Sequence, residues 1–505
     1  MEHLFNGFVT ALGFNNLVMA FLGTLIGIFF GALPGLTSTM AVGLLIPVTF
    51  GFSPATGLIF LAGAYCGSMY GGSISAILLN TPGTPASAAT SYDGFPMTNK
   101  GEGGKALAVA TVASFAGGIF SALCLILIAP LLAKLALLFG PGEYFAVAIF
   151  GLTIISAFSA KNMVKGVMAG IIGLLIGTIG MDPINGFARF TFNRLELFEG
   201  ISIIPALIGL FSASQVLMMV DGYDPANDEA DHTKVKTGKV WVTFKDLKAM
   251  WATLLRSSVI GTIIGIIPAA GRDIASFIGY NEAVRFSKDK DSFGKGNPEG
   301  VAASEAANNG VTGGSLIPLL TLGIPGNSVT AIFLGGLLIQ GLRPGPSLFT
   351  EQAPTTYTFF AGLIVANIAM LILGFVCSSF FIKVLNVPGA LMIPLIFALC
   401  TIGSYSIRNS MFDIVVMMLF GGFGFFLRKL GFSSAPVVLG IILGPMAESN
   451  FRRVLQVNQG SILPIFKSPI VLVLLAISVV SVASPFIMKW YEERRTMKIT
   501  REDGK

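Results

Sequence analysis

Four short polar stretches interrupt an otherwise apolar chain, and each joins proline or glycine to side chains that hydrogen-bond. They are Pro34-Gly-Leu-Thr-Ser-Thr39, Asn80-Thr-Pro-Gly-Thr84, Pro268-Ala-Ala-Gly-Arg-Asp273 and Thr321-Leu-Gly-Ile-Pro-Gly-Asn-Ser328. Proline removes a backbone donor and glycine frees the chain to turn, so each stretch predicts a broken helix with bared ends. N-terminal ends attract anions, and the carbonyls at the other end can hold a cation. The chemistry expected is non-covalent capture of an anion beside a small coupling cation. Ser38, Thr39, Asn80, Thr81, Thr84, Asn327 and Ser328 offer hydroxyls and amides to the anion, and Gly35, Thr321 and Gly323 offer backbone oxygens to the cation. Arg272 and Asp273 are charges in an apolar setting, disfavoured there by about 2.5 to 3.5 kcal/mol each. Either they pair with each other at a segment end, or Arg272 takes a carboxylate by a two-point hydrogen bond and Asp273 a sodium ion or proton. Asn308 and Asn309 read either as helix caps or as further anion ligands.

Covalent chemistry finds little to work with. The chain has 2 histidines, His3 and His232, so neither a histidine metal site nor a Ser-His-Asp triad can be assembled within the apolar part. The nearest approach to a phosphate-binding loop, Gly101-Glu-Gly-Gly-Lys105, has the wrong spacing. Uphill work would therefore draw on an ion gradient or a partner. Cys66, Cys124, Cys377 and Cys400 form no CxxC pair and read as small buried hydrophobes, with no resident cofactor implied. A passive channel would need a continuous polar stripe, and an intramembrane enzyme would need histidines or an acidic pair.

The elements that must position these residues follow from composition. Of 505 residues, 53% are hydrophobic and 11% charged, too few charges to coat a water-exposed surface of this size. No Lys, Arg, Asp or Glu occurs between His3 and Tyr92, and further uncharged runs reach the length of a membrane helix. An all-α polytopic membrane protein with about 12–15 membrane segments is expected. Nucleic-acid binding is not implied by the net charge of +6. The first segment lacks a basic leader region and is expected to be retained.

The breaks recur in order. Gly31-Ala-Leu-Pro34 is echoed by Gly265-Ile-Ile-Pro268, Gly71-Gly-Ser73 by Gly313-Gly-Ser315, and Pro82-Gly-Thr84 by Pro325-Gly-Asn327. We therefore expect two structural repeats, 1–220 and 251–447, around a polar linker at 221–250, with an extra helix and basic tail in 448–505. An odd number of crossings per half would invert the second repeat, and most of the 32 lysines and arginines then fall on the side of the linker and tail. That places the N-terminus outside and both the linker and the C-terminus inside. Gly23, Gly27 and Gly31, Gly173 and Gly177, and Gly261 and Gly265 mark close helix contacts. Asn297-Pro298 predicts a helix start, Gly310 its end, and Glu305 and Asn309 a shared face.

At this point the motifs resemble a known family. Glu299-Gly-Val-Ala-Ala-Ser-Glu-Ala-Ala-Asn-Asn309, Gly313 through Gly326 and Gly341-Leu-Arg-Pro-Gly-Pro346 are similar to the large membrane subunit of tripartite tricarboxylate transporters, the TctA family. So are Leu33-Pro-Gly-Leu-Thr-Ser38, Tyr70-Gly-Gly-Ser73 and Asn80-Thr-Pro-Gly83, while Arg272-Asp273 departs from the smaller residues expected there. The resemblance implies secondary uptake of citrate or another di- or tricarboxylate across a bacterial inner membrane. It implies coupling to Na+ or H+, a small membrane subunit of the TctB kind, and a periplasmic substrate-binding protein of the TctC kind. Paired hairpin-like breaks favour an elevator motion, and a homodimer is one open assembly.

Overall fold

The computed structural model describes residues 2–33, 36–158, 163–182, 185–222, 240–268, 272–377 and 389–480, the side chains at 154–158, 163, 272, 273 and 389 excepted. The described chain is almost wholly helical, as its composition requires. The first half holds α1 (Glu2–Ala11), α2 (Phe14–Ala32), α3 (Ser38–Leu45), α4 (Pro54–Leu79), α5 (Ala88–Asn99), α6 (Gly103–Ala136), α7 (Pro141–Phe158) and α8 (Met163–Gly177). A two-residue hairpin, Gly180–Met181 with Ala188–Arg189, leads to α9 (Ile203–Asp221). Then follow α10 (Phe244–Ile266), α11 (Arg272–Phe286), α12 (Pro298–Leu322), α13 (Ser328–Ile339), α14 (Ala353–Val376), α15 (Gly389–Arg408), α16 (Met411–Lys429), α17 (Ser434–Val457) and α18 (Pro469–Val480). Among the described residues, 7 helices are long and apolar enough to cross a membrane.

Local chemistry explains where the central helices start and stop. Ser53 caps α4 and Asn297 caps α12, each with proline at the first helical position, where its missing N–H is no loss. Both end on a left-handed residue, Asn80 at φ 54° and Gly323 at φ 73°. The end expected at Gly310 is not there, and α12 runs on to Leu322. The glycine serves packing instead: a Cβ at Gly310 would meet the Ser258 carbonyl and Gly261 of α10. Close approach to α10 offsets the cost of about 1 kcal/mol for glycine inside a helix.

Glycine ladders bring helices into close contact as expected. Gly23, Gly27 and Gly31 of α2 lie on the backbone of Phe60, Ala64 and Ser68, while Gly63, Gly67 and Gly71 of α4 lie on that of Ala20, Thr24 and Ile28. Backbones that interlock this closely gain dispersion contacts without needing a hydrophobic drive, which lipid does not supply. As a result every residue from Gly57 to Leu78 in α4 and from Gly300 to Thr321 in α12 is buried. Sheathed in protein, these two helices can carry hydroxyls, amides and an acid that a lipid-facing helix would not tolerate.

The packing is reciprocal between halves. α2 packs on α4 as α10 packs on α12; α6 covers α12 and α10, and α14 covers α4 and α2; α3 meets α13, and α11 meets α5. These contacts across the halves come in matched sets. The chain divides into two compact units. The first, Met1–Leu137 with Ser202–Phe426, contains all of these repeat helices. The second, Leu138–Ile201 with Leu427–Lys505, has a small core of Ala146, Val454, Ile465 and Val471, with Gly173 of α8 set against the Val437 backbone of α17. In it Asp182 accepts from Arg452 at 2.7 Å, and Arg189 donates to both oxygens of Glu448. That hydrogen bond holds the Arg189 guanidinium above its ordinary range.

Candidate functional site

The breaks pack on one another inside the first unit. Gly83 lies against the carbonyl of Gly31 at the end of α2, and Gly326 lies against that of Gly265 at the end of α10. A Cβ at either position would strike that carbonyl, so the repeated Pro-Gly is a requirement of close approach. The Gly83 amide donates to the Gly72 carbonyl at 3.2 Å, tying the first break back to α4. A polar residue follows each of these two breaks, and at the second it caps the next helix. Thr84 shares a hydrogen bond with Ser87 at 3.0 Å, and Asn327 accepts from the amides of Val329 and Thr330 at 2.9 Å while its own amide donates to the Thr330 hydroxyl.

Two helix N-termini converge at the second break. Thr37 caps α3, accepting from the Met40 amide, and Asn327 caps α13. The Thr39 and Ser328 hydroxyls, from the first turns of these helices, are 3.2 Å apart. The Asn327 side-chain amide donates to the Tyr65 hydroxyl at 2.9 Å, and that hydroxyl lies 3.1 Å from Ser315 on α12. Ser38 is fully buried and donates to the Met69 sulfur at 3.8 Å. Helices α3, α4, α12 and α13 thus bring hydroxyls, an amide and two positive dipole ends to one place. Such a combination has the chemistry to hold a negatively charged group without any basic side chain.

A second polar group lies where α5 and α6 meet α12. Glu305 is fully buried; its carboxylate accepts from the Thr90 hydroxyl at 2.6 Å and the Ser114 hydroxyl at 3.0 Å. Thr90 is also 3.0 Å from Ser304, and Ser276 of α11 donates to the Ser304 carbonyl. Among the described residues no lysine or arginine pairs with Glu305.

The expected residues are thereby distributed over several places. Ser38, Thr39, Asn327 and Ser328 come together. Thr84 is buried at the matched break of the first half, but Asn80 and Thr81 beside it are exposed, Asn80 ending α4. Asn308 donates to the Met69 carbonyl at 3.2 Å and Asn309 to the Glu305 carbonyl at 3.4 Å, so both act within the bundle and neither caps a helix. Thr321 donates to the Ile317 carbonyl inside its own helix, and the Gly323 amide bonds to the Leu319 carbonyl. Arg272 and Asp273 open α11, but their side chains, like all of Gly35, lie outside the described residues. Tyr65 was not singled out from sequence, Ser315 was read only as part of the repeated Gly-Gly-Ser, and Glu305 only as part of a helix face and of the family motif. The signal available for Glu305 was its isolation: it is the one acid between Glu299 and Glu351.

Comparison with known proteins agrees with this architecture. Residues 17–439 match the model of the "Tripartite tricarboxylate transporter TctA family". An uncharacterized 52.8 kDa protein from the TAR-I ttuC' 3' region of Agrobacterium vitis is 37% identical over 482 residues, covering 95% of each chain. Another uncharacterized protein, from the TAR-II ttuC' 3' region of the same organism, is 36% identical over 222 residues, covering 44% of this chain and 92% of its own length. No solved structure matches the chain.

Proposed function

This chain belongs to the tripartite tricarboxylate transporter TctA family, and on that premise we propose that it is the large membrane subunit of a secondary carrier for a di- or tricarboxylate such as citrate. It works in the inner membrane of a bacterium, with the N-terminus periplasmic and the linker and C-terminus cytoplasmic. A periplasmic binding protein hands over the substrate, a small membrane subunit completes the complex, and a Na+ or H+ gradient drives uptake.

The observation that carries this reading is the meeting of α3 and α13 at Thr39 and Ser328, 3.2 Å apart. A carboxylate placed there faces two helix N-termini, each equivalent to roughly half a positive charge. Ser38, Asn327 and Tyr65 add hydrogen-bond donors within the bundle, where water does not compete for them. Thr84 holds the matched place in the first repeat and Arg272 begins α11, so a second carboxylate of the substrate finds equivalent chemistry at the α5 and α11 ends. Paired breaks, and a division into two compact units of which one carries the site, support alternating access of the elevator kind.

The test is uptake of radiolabelled citrate, and of other di- and tricarboxylates, into proteoliposomes holding this protein with its small subunit, with the binding protein added outside. Saturable uptake that needs the binding protein and follows an imposed Na+ or H+ gradient is the expected result. Flux that ignores both gradients would end the carrier reading.

A further inference from the structure

Glu305 presents an electrostatic problem that the hydrogen bonds around it do not solve. Thr90 and Ser114 donate to its carboxylate, which disperses the charge but leaves one net negative charge fully buried in the middle of α12. A charged group taken from water without a counter-charge is disfavoured by several kcal/mol, so such a group is neutralised or paired. The side chains around it settle which remedy the site is built for. The Oδ1 atoms of Asn308 and Asn309, both fully buried, accept no hydrogen bond among the described residues. A buried amide oxygen without a partner is itself costly, and natural proteins rarely leave two side by side. Among the described side chains the neighbourhood therefore has acceptor oxygens to spare, a single negative charge and no positive one.

Among the described side chains, the titratable groups nearest to Glu305 on the surrounding elements are otherwise engaged. Tyr70 of α4 faces Glu305 and is held by Thr111 at 2.9 Å. Asp93 of α5 accepts from the amides of Gly296 and Asn297 and from the Tyr280 hydroxyl of α11. Lys105 of α6 pairs with Asp246 of α10, Arg256 of α10 lies over Phe286, and Arg285 of α11 pairs with Glu282.

We infer that Glu305, with Asn308, Asn309 and the hydroxyls of Thr90 and Ser114, is the seat of one monovalent cation, carried either as a proton on the carboxylate or as a sodium ion among these oxygens. One carboxylate balances one elementary charge, and oxygen ligands of this kind suit a hard cation. The role follows from geometry. Asn308, three residues beyond Glu305 on α12, donates to the Met69 carbonyl at 3.2 Å, and the Met69 sulfur accepts from Ser38 of the anion group. One side chain and one residue thus connect the cation site to the place where α3 and α13 meet, so occupancy of Glu305 biases the backbone on which the anion site is built. The coupling role rests on the carrier reading above; cation binding itself does not.

The experiment uses the full chain in detergent, with no transport substrate present. In the sodium arm, thermal unfolding is followed in NaCl against KCl and choline chloride. Wild type should gain a saturable, sodium-specific rise in midpoint that Glu305→Gln lacks, and Thr90→Val should need at least tenfold more sodium for the same rise. In the proton arm, infrared spectra taken across pH should show a protonated-carboxyl stretch that titrates in wild type, is missing from Glu305→Gln, and shifts in frequency in Thr90→Val. Thr90→Val keeps both arms informative should the glutamine variant fail to fold. Either arm positive identifies the cation. A wild type that responds to neither sodium nor pH, or a Glu305→Gln that responds as wild type does, overturns the inference. Intact cation binding without any carboxylate uptake would instead count against the carrier reading.

Discussion

Thr39 and Ser328 face each other hydroxyl to hydroxyl at 3.2 Å although 289 positions separate them in the chain. Their helices end there N-terminus to N-terminus, an arrangement that repels itself until something negative sits between the two ends. Thr39→Val keeps the shape and removes the hydroxyl. A hydrogen bond to a charged group contributes about 1.5 to 3 kcal/mol, so half-saturation for carboxylate uptake should rise tenfold or more. Uptake with unchanged half-saturation would take Thr39 out of the site.

Asn327 has two tasks, capping α13 and holding the Tyr65 hydroxyl at 2.9 Å. Asn327→Ala should cost about 1 kcal/mol of stability through the lost cap and abolish measurable uptake. Tyr65→Phe separates the two tasks, since it leaves the cap intact. It should lower uptake while the unfolding midpoint in detergent stays near that of wild type.

The Pro-Gly glycines are sterically required. Gly83→Ala and Gly326→Ala each push a methyl into a backbone carbonyl, and overpacking of this kind costs about 1 to 3 kcal/mol. Gly422→Ala in α16 meets nothing within 4 Å and should be neutral or slightly stabilising. Comparable midpoints for all three would contradict the interlock of the breaks.

Asn80 is exposed and left-handed at φ 54°. Asn80→Gly should keep stability within about 0.5 kcal/mol, while Asn80→Ala should lose about 1 kcal/mol to backbone strain. Uptake measured on the glycine variant then reads the amide alone: retained uptake means that Asn80 shapes the turn without touching the substrate.

In the second unit Asp182 stands between Arg452 at 2.7 Å and Arg189 at 3.7 Å. Asp182→Asn leaves the two guanidinium groups sharing the single carboxylate of Glu448 and should destabilise by about 2 kcal/mol. A midpoint unchanged in low salt would show the network to be solvated.

Composition was enough to predict a helical membrane bundle, and the recurrence of Gly-Pro pairs marked the matched breaks. Both signals arise locally, from hydropathy and backbone freedom. Ser38, Thr39, Asn327 and Ser328 were legible because they stand in Pro/Gly breaks of otherwise apolar sequence. Tyr65, Ser315 and the setting of Glu305 were not, because their partners lie on other helices and are single hydroxyls in apolar sequence with no fixed spacing. Gly310 misled for a related reason. A glycine that ends a helix and one that admits a neighbouring helix are the same letter, and only the presence of α10 at Ser258 and Gly261 distinguishes them.

The exchange of α6 and α14 between the repeats carries a consequence for biosynthesis. When the ribosome has released only the opening portion, α4 still lacks α14, and its serines and tyrosines must wait in lipid, or with an insertion chaperone, for a cover that has yet to be translated. A polypeptide arrested halfway would therefore be a ward of quality control, prone to proteolysis, and would not survive as an autonomous half-carrier.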